Sequence, residues 1–441
     1  MKLMFVSLGC DKNLVDTEEM LGILSGIPDV EFIDDETIAD VIVINTCCFV
    51  NDAKEESINT IIEMSQYRTE GNCKALIVAG CLAQRYKSEI LEEIPEVDAV
   101  IGTASTSAIA KVINDLFADE KKIEIYDSID SPVSADKKRL ITTGGHFAYL
   151  KIAEGCNKCC SYCIIPSIRG HYRSVPMEQL VSQAEKLANQ GVKELILVAQ
   201  ETTMYGVDMY GKKMLPELLR KLCDISGIMW IRILYCYPEE ITDELIAVMR
   251  DERKICNYLD IPIQHASDNV LKRMKRRTTN EDLRNIIGKL RKEIPDIVLR
   301  TTLISGFPGE TEEDHEILKK FVEEMRFERL GVFAYSPEEG TEAEKMPDQI
   351  DEEVKQDRRA EIMEIQQDIA FDNSESNVGR EMTVMIEGKI VDENAYVGRT
   401  YMDAPGVDGN IFITTDEELI TGDFVKVKVT GSVEYDLIGE M

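Results

Sequence analysis

Short apolar runs and helical patterns alternate along the first third of the chain. Four runs have the length and β-branched content of buried strands, and they cover residues 3–9, 40–46, 75–80 and 99–103. The stretches between them repeat apolar residues with a helical period, most clearly at residues 17–24, 53–68 and 88–94. This alternation predicts a parallel sheet that is covered by helices on its faces.

A second alternating region occupies the middle of the chain. Its predicted strands cover residues 149–153, 194–199, 229–236, 258–263, 298–304 and 329–334. The helical patterns between them include residues 177–190, 215–226 and 280–294. Six strand–helix units in about 190 residues predict an open, barrel-like parallel sheet, in which the functional site lies at the carboxyl ends of the strands.

The end of the chain has a different pattern. Residues 127–145 have the composition of a linker, and residues 351–376 are charged and helical in period. From residue 378, alternating runs at 382–387, 395–401, 410–414 and 424–431 are separated by glycine-containing turns, which predicts a small all-β barrel. We therefore predict a multi-domain α/β chain with domains at residues 1–126, 142–372 and 378–441.

Length and charge agree with this division and narrow the choice of partner. A chain of 441 residues suits about three domains. Its 50 basic and 82 acidic side chains give a formal net charge of −32 at pH 7. A field of this sign repels phosphates, so general nucleic-acid binding is disfavoured and a basic partner is favoured. Residues 378–441 alone carry 5 basic and 13 acidic side chains.

The compartment follows from the apolar runs and the cysteine content. No run reaches the length of a membrane span, and the first apolar stretch continues into DKNLVD without a cleavage site. We therefore expect a first strand rather than a signal peptide, and a cytoplasmic protein. Twelve cysteines in that compartment are expected to be core residues, ligands or nucleophiles rather than disulfides.

The segment GCNKCCSYCIIP contains the strongest chemical signal. Cys156, Cys160 and Cys163, which we name the loop thiols, have the spacing Cys-x3-Cys-x2-Cys directly after a predicted strand. Three thiolates hold three irons of a 4Fe–4S cluster, which usually has four cysteine ligands, and the missing fourth ligand leaves one iron open for chemistry. Two alternatives remain, a register that uses Cys159 and a zinc knuckle, for which His171 is the only nearby histidine.

A second set of cysteines is spread along the first domain. Cys10, Cys47 and Cys81, which we name the rim thiols, each follow a predicted strand. The carboxyl ends of parallel strands lie at one edge of a sheet, so these thiols are expected to gather there. A single buried cysteine is usually a small core residue, but three at equivalent positions predict a second metal cluster. Cys48 is the alternative to Cys47 in a different register.

Other residues give weaker signals. The remaining cysteines have no partner spacing and are expected in the core, and the scattered histidines form no zinc pattern. The turn LISGFPGET, with Gly306 and Gly309, follows a strand and would let a ligand approach the backbone, although a plain tight turn explains it equally well. Gln200 and Glu201 lie at the end of another predicted strand. They would either face a cofactor at that edge of the sheet or serve as turn residues.

Together these motifs resemble a known family. The loop thiols resemble the cluster loop of radical S-adenosylmethionine enzymes. The stretches LGCDKNLVDTEE, INTCCFV and VAGCLAQRY resemble the amino-terminal domain of the methylthiotransferases, and the last 64 residues resemble their TRAM domain. The resemblance covers essentially the whole chain. It implies a parallel α/β first domain, an open (β/α)6 partial barrel and a small all-β TRAM-like barrel.

The family has two branches with different substrates. One branch modifies an adenosine in transfer RNA, and the other modifies an aspartate in the twelfth protein of the small ribosomal subunit. The stretches KNLVD, IPSIRGHYRS, YLDIPIQHASDNVLKRMKRR and ERLGVFAYSPEEGT resemble the second branch. An acidic TRAM-like barrel also suits a basic ribosomal protein better than RNA. Asp11, where the branch usually has Pro, and the extra thiols Cys48 and Cys159 leave the ligand registers open.

The resemblance also implies a mechanism with two 4Fe–4S clusters. The open iron at the loop thiols would bind S-adenosylmethionine, whose reductive cleavage gives a radical that abstracts a hydrogen from the aspartate β-carbon. The cluster at the rim thiols would hold or donate the sulfur, and a second S-adenosylmethionine would supply the methyl group. Gln200, Arg300 and Gly306 are the expected cofactor contacts. The electron donor would be flavodoxin-like or ferredoxin-like.

Two other functions remain open at this stage. A transfer-RNA methylthiotransferase would use the same cysteines and the same chemistry on another substrate. A non-enzymatic iron–sulfur electron carrier would need neither an open iron nor a barrel cavity. The ribosomal protein could meet the enzyme free or on the ribosome.

Overall fold

The structure, a computed structural model, describes residues 1–118, 122–391 and 393–441. The chain divides into two compact units, each built from separate segments. The first unit contains Met1–Thr142, Lys151–Gln179 and Ser336–Glu344. The second unit contains Thr143–Leu150, Leu180–Tyr335 and Lys345–Met441.

The first unit contains the predicted parallel sheet. Within the described residues it has six strands in the order β2-β1-β3-β4-β5-β6. Their bounds are β1 Lys2–Ser7, β2 Glu31–Ile33, β3 Val41–Thr46, β4 Ala75–Gly80, β5 Ala99–Ile101 and β6 Ile123–Ile125. Every residue of β3 and β4 is buried, because helices cover both faces. The four predicted strands are confirmed, whereas β2 and β6, three residues each at the two edges, were missed.

Helices connect these strands. Their bounds are α1 Asp11–Leu24, α2 Asn51–Ser65, α3 Tyr67–Glu70, α4 Cys81–Tyr86, α5 Ser88–Glu93 and α6 Ile109–Phe117. The helix α1 begins six residues before the predicted start at residue 17. Its first turns bury Lys12, Asn13 and Asp16, so a search for apolar periodicity could not detect them.

The predicted linker packs against α1. Residues 127–142 contain no helix or strand, yet Arg139 donates to Glu18 and Lys137 Nζ donates to Glu19 Oε2 at 2.6 Å. A Cβ at Gly22 would collide with the backbone carbonyl of Lys138. The segment therefore lies in an irregular conformation against the polar side of α1, where ion pairs hold it.

A short antiparallel pair also belongs to the first unit. It follows β7 (Phe147–Lys151) and consists of β8 (Ala153–Glu154) and β9 (Arg173–Ser174). The helix α7 (Ile165–Arg169) lies between its two strands along the chain.

The second unit contains the middle sheet. Its described strands have the order β14-β13-β12-β11-β10-β7, and neighbours from β10 to β14 pair in parallel. Their bounds are β10 Glu194–Val198, β11 Trp230–Ile233, β12 Ile255–Asp260, β13 Val298–Ser305 and β14 Arg329–Ala334. Sequential strands are spatial neighbours throughout, so the predicted open parallel sheet is confirmed.

The helices of this part of the chain match the predicted pattern. Their bounds are α8 Met177–Asn189, α9 Val207–Tyr210, α10 Leu215–Cys223, α11 Asp243–Asp251, α12 Asp268–Arg273, α13 Asn280–Glu293, α14 Glu312–Met325 and α15 Glu352–Glu375. Capping boxes at Thr279–Asp282 and Thr311–Asp314 fix the starts of α13 and α14. None of the described helices is both long enough and apolar enough to cross a membrane.

The chain ends in a closed barrel with strand order β15-β16-β17-β19-β18. Its described strands are β15 Glu381–Lys389, β16 Ala395–Thr400, β17 Ile411–Thr414, β18 Phe424–Val433 and β19 Asp436–Glu440. The predicted all-β barrel is confirmed. The fifth strand, β19, was missed because it follows β18 after only Glu434 and Tyr435, without a glycine to mark the turn.

Buried charges fasten this barrel to the middle sheet. Glu194, on β10, accepts from Arg232 Nε at 2.8 Å and from Arg399 Nη2 at 2.6 Å, and all three side chains are buried. Arg232 also donates to the carbonyl of Tyr401 at 2.7 Å. Although burial opposes ionisation, Arg399 and Arg232 hold the pKa of Glu194 below its usual value. One carboxylate therefore pairs with a guanidinium from each element, and Arg399 also pairs with Glu387 at 2.8 Å.

Replacing Glu194 by Gln should strongly destabilise the second unit. The change leaves Arg232 and Arg399 buried without their shared carboxylate, which typically costs about 3–5 kcal/mol. Urea unfolding of the full chain measures the loss. The control is Arg250→Met, because Arg250 pairs with Asp251 and Glu293 at the surface and should change the free energy of unfolding by under about 1 kcal/mol. Equal effects of the two changes would contradict this account.

Candidate iron–sulfur site

The rim thiols lie at one edge of the first sheet. Cys10 follows β1 and precedes α1, Cys47 follows β3, and Cys81 is the first residue of α4, directly after β4. The strands β1, β3 and β4 are neighbours, and they run parallel, so their carboxyl ends lie side by side. The structure thus brings the three thiols to one place.

Glycine allows the chain to approach closely at this edge. Gly9 has a φ of +85°, and a Cβ there would lie 2.5 Å from Cys47 Cβ and 2.8 Å from its Sγ. Burial raises the pKa of Cys81 to about 12, and the nearby thiols of Cys10 and Cys47 add to the rise. The guanidinium of Arg169 opposes it. The three thiols therefore lie within electrostatic reach of one another.

Hydrogen bonds fix the backbone around Cys47. Its N–H donates to Ser57 Oγ at 3.0 Å, and that hydroxyl donates to the Cys47 carbonyl at 2.8 Å. The neighbouring Cys48 is fully buried in the apolar cluster under the sheet edge, and burial raises its pKa to about 12. Cys81 lies in the same cluster and its pKa is raised to the same value, so Cys47 as the ligand stays a prediction.

A buried polar network fixes the start of α1 and with it Cys10. Asn13 Nδ2 donates to the carbonyl of Leu8 at 2.7 Å, and Asn45 Nδ2 donates to the carbonyl of Asn13 at 2.8 Å. Asn45 also donates to Thr17 Oγ1 at 2.9 Å. These side chains join β1, β3 and α1. Their role was missed from sequence, because a polar residue in a helix or a strand is more often exposed.

The loop thiols lie between β8 and α7. Cys156 and Cys160 are buried and Cys163 is partly buried. The N–H of Lys158 donates to Cys156 Sγ at 3.4 Å. Cys159 is exposed and its Sγ lies 3.9 Å from the carbonyl of Asn157. Cys10, a predicted ligand at the rim, is exposed as well, so Cys160 as the middle ligand stays a prediction.

The loop thiols and the rim thiols belong to the same compact unit. Ile164 and Ile168, next to the loop, pack in the apolar cluster that contains Cys48 and Cys81. Arg169, the last residue of α7, donates from Nη2 to Cys81 Sγ at 3.3 Å. The segment that follows one set of thiols therefore contacts a member of the other set.

Arg169 is held in a buried network of four charges. Its Nη1 donates to Asp16 Oδ2 at 2.7 Å and to Glu154 Oε2 at 3.3 Å. Lys151 Nζ donates to Glu154 Oε2 at 2.9 Å and also to Asp16. Asp16 and Arg169 lie in the quoted stretches LGCDKNLVDTEE and IPSIRGHYRS, but no spacing rule joins positions more than a hundred residues apart.

The donor chemistry of both sets fits iron–sulfur clusters. Among the described residues, no three His, Cys, Asp or Glu side chains form a group that could hold a metal ion. His171 is instead exposed and pairs with Asp130 at 3.0 Å. A 4Fe–4S cluster spreads its thiolates around a larger body, and N–H donors to sulfur accompany such ligands. Lys158 and Arg169 provide donors of this kind.

The expected cofactor contacts lie in the second unit. Gln200 comes two residues after β10, and Glu201 beside it forms a turn by accepting from the N–H of Thr203 at 3.0 Å. Gly306 directly follows β13, and its N–H donates to Glu310 Oε2 at 2.7 Å. This N–H is already used, and a Cβ at Gly306 would lie 2.3 Å from Lys355 Cγ, so the glycine makes room for Lys355. Gly306 can therefore offer a ligand its carbonyl oxygen alone.

Arg300 occupies a different part of the same strand. It is the third residue of β13, about 20 Å of extended chain before Gly306. Its Nη1 donates to Asp260 Oδ1 at 3.1 Å, and its Nε lies 3.4 Å from Asp408 Oδ1 in the C-terminal barrel. This placement favours a structural role for Arg300 over contact with a cofactor.

Comparison with known proteins identifies three matching segments and several full-length relatives. Residues 2–102 match the Uncharacterized protein family UPF0004, residues 150–322 the Radical SAM superfamily and residues 378–441 the TRAM domain. The full-length relatives include proteins that carry the name "Ribosomal protein uS12 methylthiotransferase RimO". The protein from Lachnoclostridium phytofermentans is 64% identical over 439 residues, covering 100% of this chain and 99% of that one. The protein from Acetivibrio thermocellus is 52% identical, covering 100% and 98%.

Two solved structures resemble the fold at low sequence identity. The radical S-adenosylmethionine methyltransferase TsrM from Kitasatospora setae gives a TM-score of 0.55 at 14% identity, covering 75% of this chain and 72% of that one. The cobalamin-dependent radical enzyme OxsB gives a TM-score of 0.53 at 13% identity, covering 82% and 56%. At this identity the likeness shows the fold alone.

Replacing Gly9 by Ala should weaken iron binding at the rim thiols. The new Cβ would overlap Cys47 and adopt a strained φ, which together cost about 1–3 kcal/mol. Iron per chain after anaerobic reconstitution measures the effect. Gly145→Ala is the control, because Gly145 has a φ of +84° with nothing within 4 Å of the added Cβ. Unchanged iron in the Gly9 variant would show that this close approach does not shape the site.

Proposed function

We propose that this chain, which belongs to the RimO family of ribosomal protein uS12 methylthiotransferases, attaches a methylthio group to the β-carbon of an aspartate in uS12. Family membership follows from relatives that are 64% and 52% identical over its whole length. The prediction of a radical S-adenosylmethionine methylthiotransferase is thereby confirmed, and the chain is an enzyme of the transferase class.

One structural observation supports the two-cluster mechanism most directly. All six predicted ligand cysteines lie in one compact unit, and the segment after the loop thiols contacts Cys81 of the rim thiols. Insertion of sulfur needs a site that activates the substrate carbon and a site that holds sulfur. Thiols gathered in two sets within one unit provide both.

We assign one 4Fe–4S cluster to each set of thiols and take S-adenosylmethionine as co-substrate. When bound, a cluster with one iron free of protein ligands supplies the open site and the electron for cleaving S-adenosylmethionine. Three cysteines in each set leave such a position open.

The chain's own residues orient and shield these sites. Cys156 and Cys160 are buried, so the loop excludes water from most of its thiol surface. At the rim, the hydroxyl of Ser57 and the amide of Asn13 fix the backbone that carries Cys47 and Cys10. Gln200 and the Gly306 turn remain our candidates for contact with S-adenosylmethionine.

Charge supports a basic protein as the partner. The chain has a formal net charge of −32, and its last 64 residues contain 13 acidic against 5 basic side chains. Such a field speeds encounter with a basic ribosomal protein and opposes transfer RNA. We propose a flavodoxin-like or ferredoxin-like electron donor and a cytoplasmic location.

The direct test supplies the reconstituted enzyme with uS12. The anaerobic full chain receives S-adenosylmethionine, dithionite, sulfide and uS12, and the products are read by mass spectrometry. We expect a methylthio mass gain on an aspartate of uS12. The assignment of uS12 as the substrate would be overturned by two results together. S-adenosylmethionine would be cleaved while uS12, free or in ribosomes, stays unmodified, and a transfer-RNA adenosine would gain the methylthio group.

Replacing Cys160 by Ala should abolish cleavage of S-adenosylmethionine, because the loop loses a ligand. The formation of 5′-deoxyadenosine is expected to fall to background. Cys159→Ala is the matched control, because this neighbouring thiol is exposed and should leave cleavage unchanged. The reverse result would move the ligand register to Cys159.

Replacing Cys10 by Ala should separate the two halves of the reaction. The loop thiols are intact, so 5′-deoxyadenosine should still form, while the methylthio product should be lost. Cys223→Ala serves as control, since Cys223 packs in α10 of the second unit and should preserve both activities. Full methylthio product from the Cys10 variant would remove the rim thiols from the mechanism.

A further inference from the structure

We propose that Arg169 is a positioning residue for the rim thiols, and that its hydrogen bond to Cys81 raises the reduction potential of the cluster bound there. This inference rests on the proposed function, because it takes the rim thiols as cluster ligands. Arg169 lies outside the cysteine motifs, six residues after Cys163, at the end of α7.

The guanidinium of Arg169 is fixed by contacts on both of its terminal nitrogens. Nη2 donates to Cys81 Sγ at 3.3 Å and to Asn13 Oδ1 at 3.0 Å. Nη1 donates to Asp16 Oδ2 at 2.7 Å. The side chain is 2% exposed, so water does not compete for these bonds. The geometry therefore directs one N–H at the sulfur of Cys81.

The surrounding charges explain why a cation can remain buried beside this sulfur. Asp16 and Glu154 contribute two negative charges, and Lys151 and Arg169 contribute two positive charges. Each carboxylate contacts both cations. A buried ion is tolerated when it is paired and hydrogen-bonded in this way. Arg169 is the cation of this network that contacts a thiol, whereas Lys151 contacts only the carboxylates in the contacts described.

The consequence for a bound cluster follows from electrostatics. One-electron reduction adds one negative charge to the cluster and its thiolates, and dithionite supplies the electron in the experiment. A hydrogen bond to a ligand sulfur, with the positive charge behind it, stabilises the reduced form more than the oxidised form. Loss of the Arg169 contact should therefore move the reduction potential to a more negative value.

The experiment isolates the cluster at the rim thiols in the full-length chain. Cys156, Cys160 and Cys163 are replaced by Ala in the parent protein, so the remaining iron signal belongs to the rim thiols. A redox titration with dithionite, followed by electron paramagnetic resonance, gives the potential. We expect Arg169→Lys and Arg169→Met to titrate at more negative potentials than the parent.

Lys151→Met is the matched control. It removes a cation from the same buried network and leaves Arg169 free to donate to Cys81. Its potential should stay close to that of the parent, and its thermal unfolding shows the cost of breaking the network. A shift equal to that of the Arg169 variants would mean that charge loss in general sets the potential, and would overturn the positioning role.

A double variant is used in case the single Arg169 substitutions unfold the protein. The pair Asp16→Asn with Arg169→Gln removes one charge of each sign and preserves the Lys151–Glu154 contact. Because loss of the Asp16 charge alone shifts the potential in the opposite direction, the pair is compared with Asp16→Asn alone. If both variants fold, bind iron and titrate at the same potential, the inference is wrong and the proposed function stands. If the parent with three alanines binds no iron at all, the second cluster of the proposed function fails and this inference fails with it.

Discussion

The arrangement of the thiols depends on a buried network of ion pairs. In this network the carboxylates of Asp16 and Glu154 each contact both Lys151 and Arg169. The four residues come from α1, from the end of β7, from β8 and from α7. Leaving any one of them unpaired in the interior is costly, typically about 3–5 kcal/mol. The segment around the loop thiols is therefore held against the first sheet, where Arg169 reaches Cys81.

The parallel strands were predictable because their apolar runs are long and continuous. β4 has the predicted bounds, and β3 begins one residue after its predicted start. The compact units were not predictable from order along the chain. Residues 151–179 and 336–344 join the first unit through ion pairs and side-chain contacts that leave no periodic pattern. The start of α1 was missed for the same reason, since its buried face is polar.

The cysteines that we propose as ligands stand out in the sequence, whereas the groups that surround them do not. Spacing within one loop marks Cys156, Cys160 and Cys163, and strand ends mark the rim thiols. Arg169 and Asn13 act through side-chain geometry alone, so no local signal distinguishes them from surface residues. Arg300 was predicted as a cofactor contact from its place on a strand, and the structure pairs it with Asp260 and Asp408.

The central claim is that one compact unit holds two separate clusters, and iron analysis tests it most directly. The full chain, reconstituted anaerobically, is compared with two variants in which either the loop thiols or the rim thiols are replaced by Ala. Two 4Fe–4S clusters predict about eight irons and eight sulfides per chain, and about four of each in either variant. A full chain that binds only about four irons, all lost with the loop thiols, would contradict the account.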